Sequence, residues 1–166
     1  MSPDDFRVLA DLLFPNVTQT PADIEAHYPQ RELADGAWVS RFAPSPTGFI
    51  HLGGVFTGLL NRMLTTSTDG VYILRIEDTD QKREIERGIE SIVEAFAKVN
   101  LLPDEGPVAT DPIVQAGDYG SYIQSERFDL YQVYIKEIVA RGGAYPCFMT
   151  NEELDAIREQ QQKDNS

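Results

Sequence analysis

The sequence has little of three things: cysteine, basic residues and long apolar runs. Its single cysteine, Cys147, excludes a disulfide within these 166 residues and also a cysteine-rich zinc site. The apolar runs are too short to cross a bilayer, and the first residues do not form a charged and then apolar leader. These absences predict a cytoplasmic protein that does not associate with a membrane.

Basic residues are outnumbered by acidic residues. The chain has 14 Lys and Arg against 27 Asp and Glu, which gives a formal net charge of −13. Because contacts to phosphates need cations, a nucleic-acid-binding surface on this chain would have to be very local. Taken alone, the acidity favours only solubility. The hydrophobic content of 42% is ordinary for a soluble globular domain.

Two familiar nucleotide-binding loops are also missing. The sequence has neither a Gly-x-x-x-x-Gly-Lys loop nor a Gly-x-Gly-x-x-Gly fingerprint, so ordinary ATPase and dinucleotide-binding functions are not predicted. The two histidines are His27, in the N-terminal region, and His51, which has no evident nucleophile beside it in the sequence. A Ser/His/Asp catalytic set is therefore not supported.

Hydrophobic periodicity predicts alternating strands and helices. Strands are expected at residues 37–43 and 71–76, the second of them buried on both faces. Helices with one apolar face are expected at 51–65 and 81–99. This order is typical of a parallel α/β sheet, in which ligands bind beyond the carboxyl ends of the strands.

Turn and capping residues predict the remaining elements. Residues 78–80 lie where the second helix should have its N-cap, and residues 101–124 have the composition of a loop. A third helix is expected after Ser125. Thr150 and Glu153 form a capping box ahead of a polar C-terminal helix.

A histidine and two glycines lie where the first of these helices begins. At such a position His51 is beside free backbone N–H groups, and its imidazole can donate a hydrogen bond to a phosphoryl oxygen. Gly53 and Gly54 allow a nucleotide to approach the backbone closely. The alternative is that His51 is a surface or capping residue and that the glycines permit tight packing.

Opposite charges follow the two predicted strands. Arg41 can bind a carboxylate with two parallel hydrogen bonds, and Glu77 can receive an ammonium group. Together with the hydroxyls of Ser45 and Thr47, they suit a zwitterion with an acidic side chain. The alternatives are a surface salt bridge for Arg41 and helix capping for Glu77.

Three motifs in a fixed order resemble those of one known family, the class I glutamyl-tRNA synthetases. The resemblance to their catalytic domain spans about residues 38–160, and residues 1–36 resemble an extension found in a bacterial subgroup. The three motifs are Arg41-Phe-Ala-Pro-Ser-Pro-Thr-Gly48, His51-Leu-Gly-Gly54 and Leu74-Arg-Ile-Glu-Asp-Thr-Asp80. Shorter matches occur at Asp104–Pro107, Gln124–Phe128 and Ala144–Cys147.

The resemblance implies an α/β fold with a Rossmann-like, HUP-type parallel sheet and flanking helices, incomplete in this chain. It also implies three parts. Residues 1–36 are an N-terminal helical extension, residues 37–143 are the first half of the catalytic domain, and residues 144–166 begin an inserted connective region.

The resemblance further implies an aminoacyl-tRNA synthetase that activates glutamate with ATP and transfers it to tRNA(Glu), acting as a monomer. Mg²⁺ would share the charge of the ATP phosphates. His51 would be the catalytic residue. By position in the motifs, the residues that hold glutamate would be Arg41, Ala43, Ser45 and Glu77. The residues that bind ATP would be Pro46, Thr47, Gly48, His51, Gly53 and Gly54.

Two departures from the family pattern change what is expected. Many relatives have a Cys-x-Cys zinc pair where this chain has Cys147-Phe148-Met149, so no zinc and no other protein-bound metal is predicted. The Lys-Met-Ser-Lys-Ser signature and the later half of the sheet are absent from these residues. The chain is therefore expected to be an N-terminal fragment that is inactive alone.

Three other functions compete with the ligase. A glutaminyl enzyme would resemble Pro-Glu-Pro-Asn where this chain has Pro-Ser-Pro-Thr. The tRNA-modifying paralogue of the glutamyl-queuosine type usually has Ile at the position of Thr79, and it lacks an N-terminal arm. The third alternative is a truncated, non-catalytic module that binds a nucleotide or an amino acid.

Overall fold

The computed structural model describes residues 2–80, 82–83 and 85–164. No helix in these ranges is long and apolar enough to cross a membrane. In chain order the elements are α1 (Pro3–Leu13), α2 (Pro21–His27), β1 (Val39–Phe42), α3 (Leu52–Thr66), β2 (Val71–Leu74), α4 (Gly88–Lys98), β3 (Gly106–Ala109), β4 (Val114–Ala116), a short 3-10 helix (Gln124–Arg127), α5 (Phe128–Ala140) and α6 (Asn151–Asp164).

The chain divides into two compact units. One contains Met1–Thr18 together with Tyr134–Ser166, and the other contains Gln19–Val133. This division does not coincide with limits at residues 36 and 143, and the three-part division stays a prediction.

A parallel pair of strands, β1 and β2, forms the centre of the second unit, with α3 as the connection between them. The hydrogen-bonded ladder continues beyond both strands. The Arg75 N–H donates to the Phe42 carbonyl at 3.0 Å, and the Glu77 N–H donates to the Pro44 carbonyl at 2.9 Å. The predicted α/β fold with a parallel, incomplete Rossmann-like sheet is confirmed.

The other edge of β2 is occupied by two separate segments. The Leu74 N–H donates to the Glu105 carbonyl, and the Ile76 N–H donates to the Tyr122 carbonyl, each at 2.9 Å. Between these segments β3 and β4 form an antiparallel hairpin. Gly106 passes so close to β2 that a Cβ on it would overlap the Leu74 carbonyl oxygen.

The prediction of loop over residues 101–124 is therefore wrong for the hairpin. β3 is a four-residue strand that contains a glycine and a proline, and β4 has only three residues. Strands this short show no clear alternation of apolar and polar side chains, so their sequence does not distinguish them from a loop.

One face of β2 supplies the core. Leu74 and Ile76 are fully buried and pack with Ile92 and Phe96 of α4. The Phe96 ring also meets the Phe42 ring edge to face, with 5.7 Å between the ring centroids. This apolar layer fixes α4 against the sheet.

The opposite face of β2 is only partly covered. Ile73, Arg75 and Glu77 alternate with the fully buried residues and are half-buried. The prediction of a strand buried on both faces is therefore wrong. Arg75 and Glu77, which follow β2, consequently lie on the open face of the sheet.

α3 forms where the sequence predicts a helix, but its apolar face is open. Leu52 is 83% exposed, and Phe56 is 57% exposed. Val55 packs against the core from α3, and so does Gly58, on which a Cβ would lie 2.8 Å from the Phe96 ring. Close packing of α3 therefore depends on a residue without a side chain.

α4 begins later than predicted, at Gly88 rather than residue 81. Gln81 and Glu84 of the predicted helix lie outside the described residues. The carboxylate of Asp78 does not cap α4. It accepts hydrogen bonds from the Ser125 N–H at 2.8 Å and from the Ser125 hydroxyl at 2.5 Å. Asp78 thus fixes the turn before α5, which does form after Ser125.

In the other unit, an ion pair joins two helices, and a capping box begins a third. Lys136 of α5 lies 2.8 Å from the Asp11 carboxylate of α1. The capping box predicted at the start of α6 is confirmed, since the Thr150 N–H donates to Glu153 Oε2 at 2.7 Å and the Glu153 N–H donates to Thr150 Oγ1 at 3.3 Å.

Within the second unit, an ion pair holds the segment before β1 against the segment that follows β2 and α4. The Arg31 guanidinium binds both oxygens of the Glu105 carboxylate, with 2.6 Å between Nη2 and Oε2, and it stacks 3.8 Å from the centre of the Tyr119 ring. The Tyr122 hydroxyl donates to Glu105 Oε2 at 2.7 Å. Hydrogen bonding to Arg31 lowers the pKa of Glu105, and burial raises the pKa of Tyr122 to about 12.

Truncating the central ring of the core should destabilise the protein strongly. Phe96→Ala should lower the free energy of unfolding by about 3–5 kcal/mol, because it leaves a cavity among buried side chains. The matched change Phe56→Ala, on an exposed ring, should alter it by only about 0.5 kcal/mol. Urea denaturation followed by circular dichroism measures both. Equal losses would contradict the position of the core.

Neutralising Glu105 should remove an acid-sensitive part of the stability. Its pKa in the folded chain is below the ordinary 4.5, so the pair stabilises fully above that value and is lost as the pH falls through the folded pKa. The free energy of unfolding should therefore fall less steeply below pH 4.5 in Glu105→Gln than in the wild type. Glu94→Gln is the control, because its contact with Arg87 is exposed. Identical acid profiles for wild type and Glu105→Gln would refute the role of the pair.

Candidate active site

An open cavity of about 440 Å³ lies at the carboxyl end of β1. The loop after β1 and the first turn of α3 form its polar wall, and side chains adjoining the core form its apolar floor. The lining residues are Phe42, Pro44, Ser45, Thr47, Gly48, Phe49, Ile50, His51, Gly53, Gly54, Thr57 and Ile92. Five of the six residues predicted to bind ATP line this cavity, and the sixth, Pro46, does not.

The start of α3 leaves the His51 imidazole available to a ligand. His51 is the N-cap residue of α3, but its side chain makes no capping hydrogen bond. The residue is exposed. The first backbone N–H groups of a helix lack intrahelical partners and form its positive end. An anionic group in the cavity would therefore meet both the helix end and the imidazole.

The glycines at this helix start make room for neighbouring side chains. A Cβ on Gly53 would lie 3.1 Å from the His51 ring, and one on Gly54 would lie 2.8 Å from Cγ1 of Ile50. At Gly48, in contrast, a Cβ would have no atom within 4 Å. Gly53 thus leaves room for the observed orientation of the His51 imidazole, and Gly54 leaves room for the Ile50 side chain at the floor of the cavity.

Arg41 and Glu77 lie together on the open face of the sheet. Arg41 Nη1 is 3.2 Å from Glu77 Oε1, and Arg75 Nη2 is 2.6 Å from the same oxygen. The sequence interpretation missed Arg75. The alternation of side chains along a strand, which places residues 75 and 77 on one face, is the signal that could have found it.

Pro44 connects the charged cluster to the cavity. Its carbonyl accepts the Glu77 N–H at 2.9 Å, and its ring lines the cavity. Arg41, Ala43 and Glu77 do not themselves line the cavity. The predicted glutamate and ATP residues therefore form two adjoining groups at the carboxyl ends of β1 and β2.

Pro46 supports the loop from beneath. It is buried, and its carbonyl accepts the Ile85 N–H at 3.0 Å. Gly88, the first residue of α4, packs against it, and a Cβ there would lie 2.7 Å from the Pro46 carbonyl oxygen. This contact fixes the distance between the loop and the start of α4.

The family is decided by the motifs around this site. Residues 38–166 match the model of the tRNA synthetases class I (E and Q), catalytic domain. The chain belongs to the class I tRNA synthetases.

Curated relatives of this class I synthetase chain are glutamate–tRNA ligases. The one from Clostridium perfringens strain 13 is 48% identical over 156 residues, which cover 94% of this chain and 28% of the relative. The one from Acetivibrio thermocellus is 45% identical over 162 residues, which cover 97% of this chain and 29% of the relative. The alignment with the second relative must include most of residues 1–36, since it covers 97% of the chain.

Solved structures of glutamate–tRNA ligases share the fold of this synthetase chain. The enzyme from Elizabethkingia meningosepticum, solved in complex with its amino acid, is 43% identical with a TM-score of 0.66, over 77% of this chain and 24% of that one. The enzyme from Elizabethkingia anophelis is 42% identical with a TM-score of 0.68, over 78% and 25%. The chain thus spans about a quarter of the length of its relatives.

Adding one methyl group at Gly53 should displace the imidazole of His51. Gly53→Ala places a Cβ against the His51 ring, so the ring must rotate, and its NMR signals should shift. Gly48→Ala is the matched control, because a Cβ there meets open space. With two histidines in the chain, His27 serves as an internal reference. An unmoved His51 signal in Gly53→Ala would show that the ring does not occupy the observed position.

Proposed function

We propose that this chain supplies the glutamate and ATP sites of a glutamate–tRNA ligase. One observation supports the proposal: the His51 cavity lies next to the Arg41–Glu77 pair, at the carboxyl ends of two parallel strands. In the proposed reaction the glutamate α-carboxylate attacks the α-phosphorus of ATP and displaces pyrophosphate. The ribose hydroxyl at the end of tRNA(Glu) then takes the glutamyl group and releases AMP.

The cavity is the proposed ATP site. Its polar wall carries His51, Gly53, Gly54, Thr47 and Gly48, and the positive end of α3 faces the phosphates. As negative charge develops on the transferring phosphate, the imidazole donates a hydrogen bond to it. Catalysis is then mainly positioning plus electrostatic stabilisation. Pro46 contributes by holding the loop, because it is buried.

The charged cluster is the proposed glutamate site. Arg41 would bind the side-chain carboxylate of glutamate, and Glu77 would bind its ammonium group. Ala43 lies on the loop between the cluster and the cavity, and Ser45 lines the cavity. The amino acid would thus lie beside the ATP phosphates, which is the arrangement that adenylate formation needs.

Metal ions enter this proposal only through the substrate. Within residues 2–80, 82–83 and 85–164 no three His, Cys, Asp or Glu side chains form a group that could hold a metal ion. No step is therefore assigned to an ion held by the protein alone. We propose Mg²⁺ as a companion of ATP, which is how this ion commonly binds in nucleotide sites. A monomer without zinc, located in the cytoplasm, stays a prediction.

The N-terminal alignment favours the ligase over the tRNA-modifying paralogue. The paralogue is expected to lack an N-terminal arm, whereas the alignment with a curated glutamate–tRNA ligase covers 97% of this chain. The Arg31–Glu105 pair also packs the later part of that arm, which begins at Gln19, within the second unit.

The proposal predicts glutamate-dependent exchange between ATP and labelled pyrophosphate. We would measure it with the product of the complete reading frame that contains these residues. Glu77→Ala should lower the rate at subsaturating glutamate about a hundredfold, because a charged hydrogen bond to the ammonium is lost. Glu94→Ala removes an exposed carboxylate and should leave the rate unchanged. Undiminished exchange in Glu77→Ala would contradict the ammonium-binding role.

A further inference from the structure

Arg75 holds the carboxylate of Glu77 more closely than Arg41 does. Its Nη2 lies 2.6 Å from Glu77 Oε1, whereas Arg41 Nη1 lies 3.2 Å from the same oxygen. The second oxygen, Oε2, accepts no hydrogen bond from residues 2–80, 82–83 and 85–164. Two guanidinium groups therefore share one oxygen, and the other oxygen is available to a third partner.

Arg75 is also the more firmly placed of the two arginines. Its backbone lies in the ladder that extends β2, through the hydrogen bond to Phe42. Its side chain is 29% exposed, against 44% for Arg41. Its Nε is fully buried and has no hydrogen-bond partner among the described residues. Arg41 can leave Glu77 for solvent or a ligand more easily than Arg75 can.

The cluster of Arg41, Arg75 and Glu77 has one more positive charge than negative charge. Two guanidinium groups face one carboxylate, so the formal charge is +1. Because Arg75 alone can balance Glu77, the charge of Arg41 remains available to an acidic group. Without Arg75, the nearest partner of Arg41 would be Glu77, and the pair would be neutral.

We propose that Arg75 is a positioning residue that keeps Glu77 in place and frees Arg41 for the side-chain carboxylate of the substrate. This inference rests on the function proposed above. When glutamate binds, its ammonium group takes Glu77 Oε2, and its side-chain carboxylate takes Arg41. Arg75 keeps its bond to Oε1 throughout. A neutral glutamine side chain would leave the positive charge of the cluster unbalanced, so Arg75 contributes to the preference for glutamate over glutamine.

The first arm of the test needs no substrate. Side-chain Nε–Hε signals of arginine, recorded on the ¹⁵N-labelled chain, report the surroundings of Arg41. In Arg75→Gln, Arg41 becomes the only guanidinium on Glu77, so its signal should shift and its side chain should become more ordered. Arg83→Gln removes the same charge from an exposed pair with Asp80 and should leave the Arg41 signal in place. An unmoved Arg41 signal in Arg75→Gln would overturn the inference, whatever the result with glutamate.

The second arm measures binding of L-glutamate and L-glutamine by calorimetry, on the product of the complete reading frame that contains these residues. Arg75→Gln should weaken glutamate binding about tenfold or more, because Arg41 then pairs with Glu77 and a charged hydrogen bond to the side-chain carboxylate is lost. Glutamine binding should weaken less, because glutamine shares only the ammonium contact with Glu77. Arg75→Lys keeps the charge but not the planar geometry and should restore part of the preference. Arg83→Gln should match the wild type. Amide spectra of all variants establish that the fold is retained.

The outcomes separate this inference from the proposed function. If the complete wild-type protein binds glutamate, and its Arg75→Gln variant binds equally well and equally selectively, the role of Arg75 is refuted and the glutamate site stands. If the complete wild-type protein binds no glutamate, the glutamate site is contradicted and, with it, the selectivity assigned to Arg75. A common loss of binding in Arg75→Gln and Arg83→Gln would show a general effect of charge and would also count against Arg75.

Discussion

Two backbone hydrogen bonds beyond the ends of β1 and β2 hold the candidate site together. The bonds from Arg75 to Phe42 and from Glu77 to Pro44 extend the parallel ladder into the region where both strands have ended. Because a parallel ladder keeps neighbouring residues in register, they set Glu77 beside Arg41 and beside the loop that forms the cavity. A shift of one residue would turn Glu77 toward the core face. Core packing of Leu74 and Ile76 on that face opposes such a shift.

The two sides of the sheet have different tasks. The side that carries Leu74 and Ile76 is filled by α4 and supplies the stability of the unit. The other side carries charges that are half-exposed, where salt bridges stabilise weakly and can exchange partners at small cost. Strong packing on one side thus supports a cluster on the other side that is free to change its contacts.

The sequence predicted the elements of the fold better than their contacts. Hydrophobic periodicity located α3, but the packing of Gly58 under Phe96 is a tertiary contact that no local pattern reveals. The start of α4 depends on Pro46, which is far away in the chain and packs on Gly88.

The candidate site was predictable to a similar degree. The motifs identified the loop, the histidine and both members of the Arg41–Glu77 pair. The motifs single out Glu77 at the end of the strand. They do not indicate Arg75, which precedes it by two residues on the same face of the sheet. Which groups line the cavity, and that Pro46 is buried beneath the loop, depends on packing in three dimensions and is not contained in the residue spacing.

The Arg31–Glu105 pair has a consequence for how this protein can be divided or recombined. A chain cut just ahead of β1 would keep every motif residue but lose the guanidinium that balances Glu105. The carboxylate of Glu105 would then lie partly buried beside the central strand without its cation. Removing one member of a buried ion pair destabilises a protein strongly, because the remaining charge is left unpaired. The segment that carries Arg31 is therefore an integral part of the second unit, and transferring the motifs and Glu105 to another scaffold without it would leave an unpaired carboxylate in the new protein.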